Sequence, residues 1–174
     1  KEIMQLPKTK LTTTTLGSFP KPKYVPFQDW FDSAHDNGSM CTAKTTRDYT
    51  VYANSKADNE ELFVRAAREV IDLQLKAGID IPTGGEVRRE NYIHYHCRVI
   101  EGFDFKILEN KVFRDGAYKT DLPAIRNKIV HSGDLYAAAD YKAAQNVSSK
   151  PIKFTLPGPL TIMDTSADCH YNNR

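Results

Sequence analysis

Between residues 58 and 86 a helical repeat runs straight into a short apolar strand, a glycine pair and an acid. That handover restricts the chain to folds in which helices alternate with strands. Phe63, Ala66, Ala67, Val70, Leu73 and Ala77 recur at helical spacing after Asp58, which can cap the helix, and Gly78 ends it. Ile79 and Ile81 then alternate around Asp80 as in a short buried strand, and Pro82 closes the ladder by removing a donor. Gly84 and Gly85 allow the backbone to approach a ligand closely, and Glu86 follows them. On these residues alone Glu86 fits two roles. It is either a carboxylate at the carboxyl end of a strand, placed for a cationic group, or an acid in the first turn of the next helix that favours its dipole.

Other segments repeat the alternation. Thr12 to Leu16 is a β-branched run closed by Gly17, and Phe19-Pro20-Lys21-Pro22 follows as a stiff extended loop. Residues 24–54 show no sustained period and are expected to be loop or short helix, with Asp36-Asn37-Gly38-Ser39 the clearest turn. A second helix is expected from Val87 to Val99, ended by Gly102. Phe103, Phe105, Val112, Phe113, Tyr118 and Ile125 alternate around Asp115-Gly116, which predicts an inserted hairpin. An alanine-rich helix over 134–146 places Leu135, Ala138 and Ala139 on one face, and Ile152 to Leu156 is the third core strand. Both doubly wound sheets and (β/α)₈ barrels satisfy this order, and both build their sites from loops at the carboxyl ends of strands. Those loops are Gly17-Ser18-Phe19-Pro20, Gly84-Gly85-Glu86 and Pro157-Gly158-Pro159.

At 174 residues one domain is the default. The net charge of +2 gives no footprint for nucleic acid or an anionic membrane, and no apolar run reaches the length of a membrane span. A cytoplasmic location is the expectation. Cys41, Cys97 and Cys169 are odd in number and far apart, so reduced thiols are expected rather than a disulfide framework or a zinc module. The chain opens on Lys1 and stops just after a strand and the start of a helix, which suggests part of a longer parent or a missing partner segment.

The candidate chemistry leaves alternatives open. Gly17 and Ser18 can offer a backbone N–H and a hydroxyl to a carboxylate, or simply make a turn. Pro157-Gly158-Pro159-Leu160-Thr161 reads as a stiff strand-to-helix connection with Pro159 at the first helical position. His94 and His96 point about 200° apart on a helix, so with Cys97 they read as polar residues near a site or the surface rather than metal ligands. Arg88-Arg89-Glu90 is a solvated helix face, unless one arginine holds Glu86 or an anionic group. Asp164 and Asp168 are spaced to share one side of the last helix. No nucleophilic triad and no phosphate-binding glycine motif is present.

Taken together, TTTTLGSFPKP, AGIDIPTGGEVRRENYIHYHCRVIEGFDF and IKFTLPGPLTIMDTSADCHY resemble, in order, the catalytic domain of cobalamin-independent methionine synthase. The resemblance implies a (β/α)₈ barrel related to the uroporphyrinogen decarboxylase fold. Of that barrel the chain holds the first three or so βα units, with a hairpin insertion. It implies methyl transfer to the thiol of homocysteine, or a similar small thiol, from a methylated folate or a methyl-corrinoid protein. Gly17 and Ser18, flanked by Leu16, then hold the amino-acid carboxylate, and Glu86 takes the amino group. Pro157, Gly158, Pro159 and Thr161 help to shape the site. The family activates the thiol with zinc, held by a His-x-Cys pair, a glutamate and a further cysteine in later strands that this chain does not reach. The resemblance therefore gives His94, His96 and Cys97 no metal role, and the chain alone is expected to be inactive. Two further readings stand beside this one. The chain is a truncated or structural half that needs a complementary segment, or a related barrel enzyme acting on another thiol or a decarboxylase-like acid.

Overall fold

The computed structural model describes residues 11–27, 42–55, 58–131 and 136–172. The turn expected at residues 36–39, Cys41 and the start of the alanine-rich segment at Asp134 and Leu135 lie outside them.

Two helices lie between the first and second site loops. Helix α1 spans Thr42–Ser55, where loop or short helix was expected. It has no acidic first turn and no basic last turn, and its hold on the fold is tertiary. Tyr49 and Tyr52 each place their ring 5.2 Å from Phe27, which also packs on Phe63 of the next helix. Helix α2, Glu60–Lys76, begins where the periodicity places it, with the Glu60 amide donating to Asp58 Oδ1 at 3.1 Å. Gly78 takes φ +85 just beyond it, and the Ile79 amide reaches back to the Gln74 carbonyl. Phe63, Ala66, Ala67 and Val70 are buried with Val25, Phe27 and Val87. Ile71 enters a second cluster with Ala144 and Ile152, while Leu73 is exposed. The apolar stripe is turned from the expected one because α2 packs on two clusters, not one.

The three expected core strands do meet in parallel, but only as single bridges, Thr14 to Ile81 and Thr83 to Lys153. Side chains add further ties. Gln74 is buried and donates Nε2 to the carbonyls of Val70 and Thr83, while its Oε1 accepts from the Thr83 amide and the Thr15 hydroxyl. Asp80 Oδ2 accepts from the Thr13 amide at 3.0 Å.

Beyond Glu86 the expected helix over 87–99 is mostly turns, and only α3, His94–Cys97, is helical. The cause is local. Glu86 sits at φ +57, outside the helical region, and Asn91 Oδ1 accepts from the amides of Ile93 and His94, restarting the helix there. Gly102, expected to end that helix, lies instead in a strand at φ +101, where a Cβ would meet the Asn127 carbonyl oxygen at 2.7 Å.

The hairpin forms around Asp115-Gly116 as expected. Strands β1, Ile100–Phe113, and β2, Tyr118–His131, pair antiparallel, with Asp115 and Gly116 both at positive φ in the turn. The register shifts on either side of the Phe103–Ile125 pair, and Arg126 crosses that irregularity to Asp104 at 3.2 Å and Glu109 at 2.5 Å. Helix α4 spans Ala137–Gln145 and buries Asp140 and Ala144, while Ala138 and Ala139 are exposed. Helix α5, Pro159–Asp164, has its proline in the first turn, and β3, Ala167–Asp168, joins β2 in parallel. Asp164 and Asp168 thus lie on a helix end and a strand, so they do not share a helix face.

Candidate functional site

The first and second strand-end loops are stitched by the Phe19 amide to the Gly85 carbonyl at 3.0 Å and by the Thr83 hydroxyl to the Gly17 carbonyl at 2.9 Å. The second and third are joined by the Lys153 amide to the Pro82 carbonyl. Lys153 also reaches the Thr15 carbonyl with Nζ. Alternation along IKFTL puts Ile152 and Phe154 on the helix side, against Ile71 and Tyr141, and leaves Lys153 and Thr155 on the other.

Glu86 lies at the ends of the three strands, between the Gly17 loop and Thr155 of the third strand. Its side chain is only 7% exposed, and Oε1 accepts from the Thr155 hydroxyl at 2.5 Å. The Arg89 guanidinium, with a side chain 3% exposed, stands 3.5 Å from the same oxygen and 3.3 Å from the Thr155 hydroxyl. Arg89 lies over the Phe154 ring, and burial pulls it below its usual value while Glu86 and Asp140 oppose that pull. Gly17 is the third wall, since a Cβ there would sit 2.6 Å from Glu86 Oε1 and 3.0 Å from Thr155 Cγ2. Gly17 is therefore required by close approach.

A cavity opens beside this group, lined by Glu86, Arg88, Arg89, Asp140, Lys153 and Thr155 among others. Arg88 spans it, bonding both oxygens of Glu60 and standing 3.8 Å from Asp140. Burial raises Asp140, with Arg88 opposing, and among the described residues its Oδ2 finds no hydrogen-bond partner. The solvated-face reading of Arg88-Arg89-Glu90 is overturned, because Arg89 and Glu90 are buried and ion-paired, the latter to Arg98 at 2.5 Å.

The other residues singled out by sequence are spread around this centre. Leu16 is 92% exposed, Ser18 is half-buried, Pro157 and Thr161 are half-buried and Gly158 is exposed. Gly17 touches the Glu86 group through the contacts above. Thr155 was not singled out by sequence. Its signal was the polar face of an otherwise apolar strand, which becomes informative only once Thr83 pairs with Lys153.

The zinc implied by the resemblance finds no donor set, since among the described residues no three His, Cys, Asp or Glu side chains come together to hold a metal. His94, His96 and Cys97 are buried in the core. His94 Nε2 lies 2.9 Å from the Thr165 carbonyl, and Cys97 donates Sγ to Ile93, its thiol pushed up to about 12 by burial. Burial also draws His94 and His96 down to about 4.

Comparison with known proteins accords with this geometry. The family described as cobalamin-independent synthase, catalytic domain, matches residues 36–171. The methionine synthase of Saccharolobus solfataricus is 30% identical over 168 residues, covering 94% of this chain and 43% of that protein. That of Sulfolobus acidocaldarius is 28% identical over 167 residues, 95% of this chain and 43% of that protein. Among solved structures, a B12-independent methionine synthase from a Shewanella species, in complex with selenomethionine, matches at TM-score 0.69 and 28% identity over 94% of this chain and 42% of that one. This chain thus spans less than half the length of those relatives, and its mixed α/β architecture is a partial (β/α)₈ barrel. The chain belongs to the cobalamin-independent methionine synthase catalytic-domain family.

Proposed function

We propose that this chain carries the amino-acid-binding loops of a methyltransferase that methylates the thiol of homocysteine to form methionine. One observation carries the reading: a buried carboxylate, Glu86, is enclosed by Gly17, Arg89 and Thr155 at the ends of the three strands. In this reading Glu86 takes the substrate ammonium, and the loop at Gly17 and Ser18, flanked by Leu16, takes its carboxylate. Pro157, Gly158 and Thr161 shape the approach along α5. The methyl donor is a methylated folate or a methyl-corrinoid protein, and the location is cytoplasmic. Zinc, when bound, lowers the pKa of a thiol so that the thiolate attacks. The described residues hold no donor set for it, and their part is to bind and orient the amino acid.

A structural half that needs a complementary segment is the second reading. It is favoured by Leu16, Leu156 and Leu160, which are 92%, 56% and 70% exposed beside the same strand ends. The two readings are compatible, since a binding half can await the rest of its barrel.

Titration of the chain with L-methionine tests the proposal. Glu86→Gln keeps the shape and removes the charge, and it is expected to weaken binding about ten- to a hundredfold, the worth of a hydrogen bond to a charged group. Equal affinity in the variant and the parent chain, with both folded by circular dichroism, would remove Glu86 from the site.

A further inference from the structure

Both neighbours of the Glu86 carboxylate use the same oxygen. Thr155 donates its hydroxyl to Oε1 at 2.5 Å, and Arg89 Nη1 lies 3.5 Å from that atom. Among the described residues the polar contacts of this carboxylate fall on Oε1, and Glu86 lines the cavity at the strand ends. The arrangement is crowded on the Oε1 side, where Gly17 leaves no room even for a methyl group. A carboxylate with both oxygens open accepts a planar guanidinium through two parallel bonds. A carboxylate oxygen can accept two bonds, but with Oε1 engaged by both Thr155 and Arg89 and walled by Gly17, Oε2 is the acceptor left for a ligand.

We propose that Thr155 is a specificity-determining positioning residue: by occupying Oε1 it leaves Glu86 Oε2 as the one acceptor, so the site takes a primary ammonium in preference to a guanidinium. The proposal rests on the reading of Glu86 as the ammonium acceptor and adds to it the reason for the choice of cation. Thr155 stands in the wall of the cavity, and the role proposed for it is exerted through Glu86. Thr155 can do this because its strand neighbour Lys153 pairs with Thr83, which aims the hydroxyl across to the Glu86 loop.

The test compares L-methionine with its α-guanidino analogue as probes for the unaltered chain and for Thr155→Val and Thr155→Ser. Valine keeps the shape and removes the hydroxyl, while serine keeps the hydroxyl. The unaltered chain and Thr155→Ser are expected to prefer methionine at least tenfold, and Thr155→Val to narrow that preference to about threefold or less. A folded Thr155→Val that keeps the full preference overturns the proposal. A crystal structure of Thr155→Val gives a readout independent of any ligand: Glu86 is expected to turn from its rotamer, and an unmoved carboxylate overturns the positioning role. If the unaltered chain binds neither probe while Glu86 does turn in the variant, the amino-acid reading and the cation preference fall together and the positioning role survives.

Discussion

Glu86 combines two features that rarely meet in one residue, a positive φ of 57° and a nearly buried acidic side chain. A non-glycine residue in the left-handed region costs about 1–3 kcal/mol, and such strain persists only where surrounding bonds over-determine it. Here the Arg89 amide donates to the Glu86 carbonyl while Thr155 holds the carboxylate. Gly17 and Gly78 separate the demands of the site from those of the backbone. Gly17→Ala places a Cβ 2.6 Å from Glu86 Oε1, so it is expected to weaken methionine binding more than tenfold and to lower stability by about 1–3 kcal/mol. Gly78→Ala meets no atom within 4 Å but must hold φ +85, so it is expected to cost about 1–2 kcal/mol while leaving binding unchanged. Titration calorimetry beside urea unfolding reads both. Equal binding losses in the two variants would show that strain, not the Glu86 contact, is what Gly17 relieves.

Among the elements, α3 ties stability to pH through two buried histidines. His94 and His96 are held near pKa 4 chiefly by burial, with the charge of Arg98 on His94 and of Arg89 on His96 acting the same way. A histidine kept neutral in the fold contributes stability that is complete above its unfolded value of about 6.5 and is lost as pH falls towards 4, about 3 kcal/mol for each ring. Urea midpoints are therefore expected to drop steeply between pH 6.5 and 4. Among the described residues His96 finds no hydrogen-bond partner for either ring nitrogen, so His96→Leu should flatten that drop by about half without losing a bond. An unchanged pH slope in that variant would refute the assignment. Elements whose signals are local were legible in sequence: α2 from its repeat and Gly78, and the hairpin from Asp115-Gly116. Helix α1 was not, because Tyr49 and Tyr52 owe their helix to Phe27 and Phe63. The helix expected over 87–99 failed because a single backbone angle at Glu86 and a side-chain cap from Asn91 outweighed its periodicity. In the same way Glu86, with an arginine three residues on to stand beside it, was readable as a candidate from its own segment, whereas Thr155 joins it only through pairing between strands distant in sequence.

The whole molecule leaves its strand ends unevenly covered. Leu16 and Leu160 are largely in solvent close to a buried ionic group, and apolar surface of that kind drives association. Sedimentation equilibrium is expected to show concentration-dependent self-association that Leu16→Ser combined with Leu160→Ser reduces, and an unaffected association constant would place the contact elsewhere. The barrel part is held across its short bridges by Gln74, whose amide joins α2 to the first and second strands. That single side chain has a kinetic consequence. The Thr83 amide cannot reach solvent until Gln74 lets go, so on the timescale of amide hydrogen exchange the fraying of α2 and the opening of the Glu86 loop are one event, and a ligand seated at Glu86 slows exchange deep within that helix.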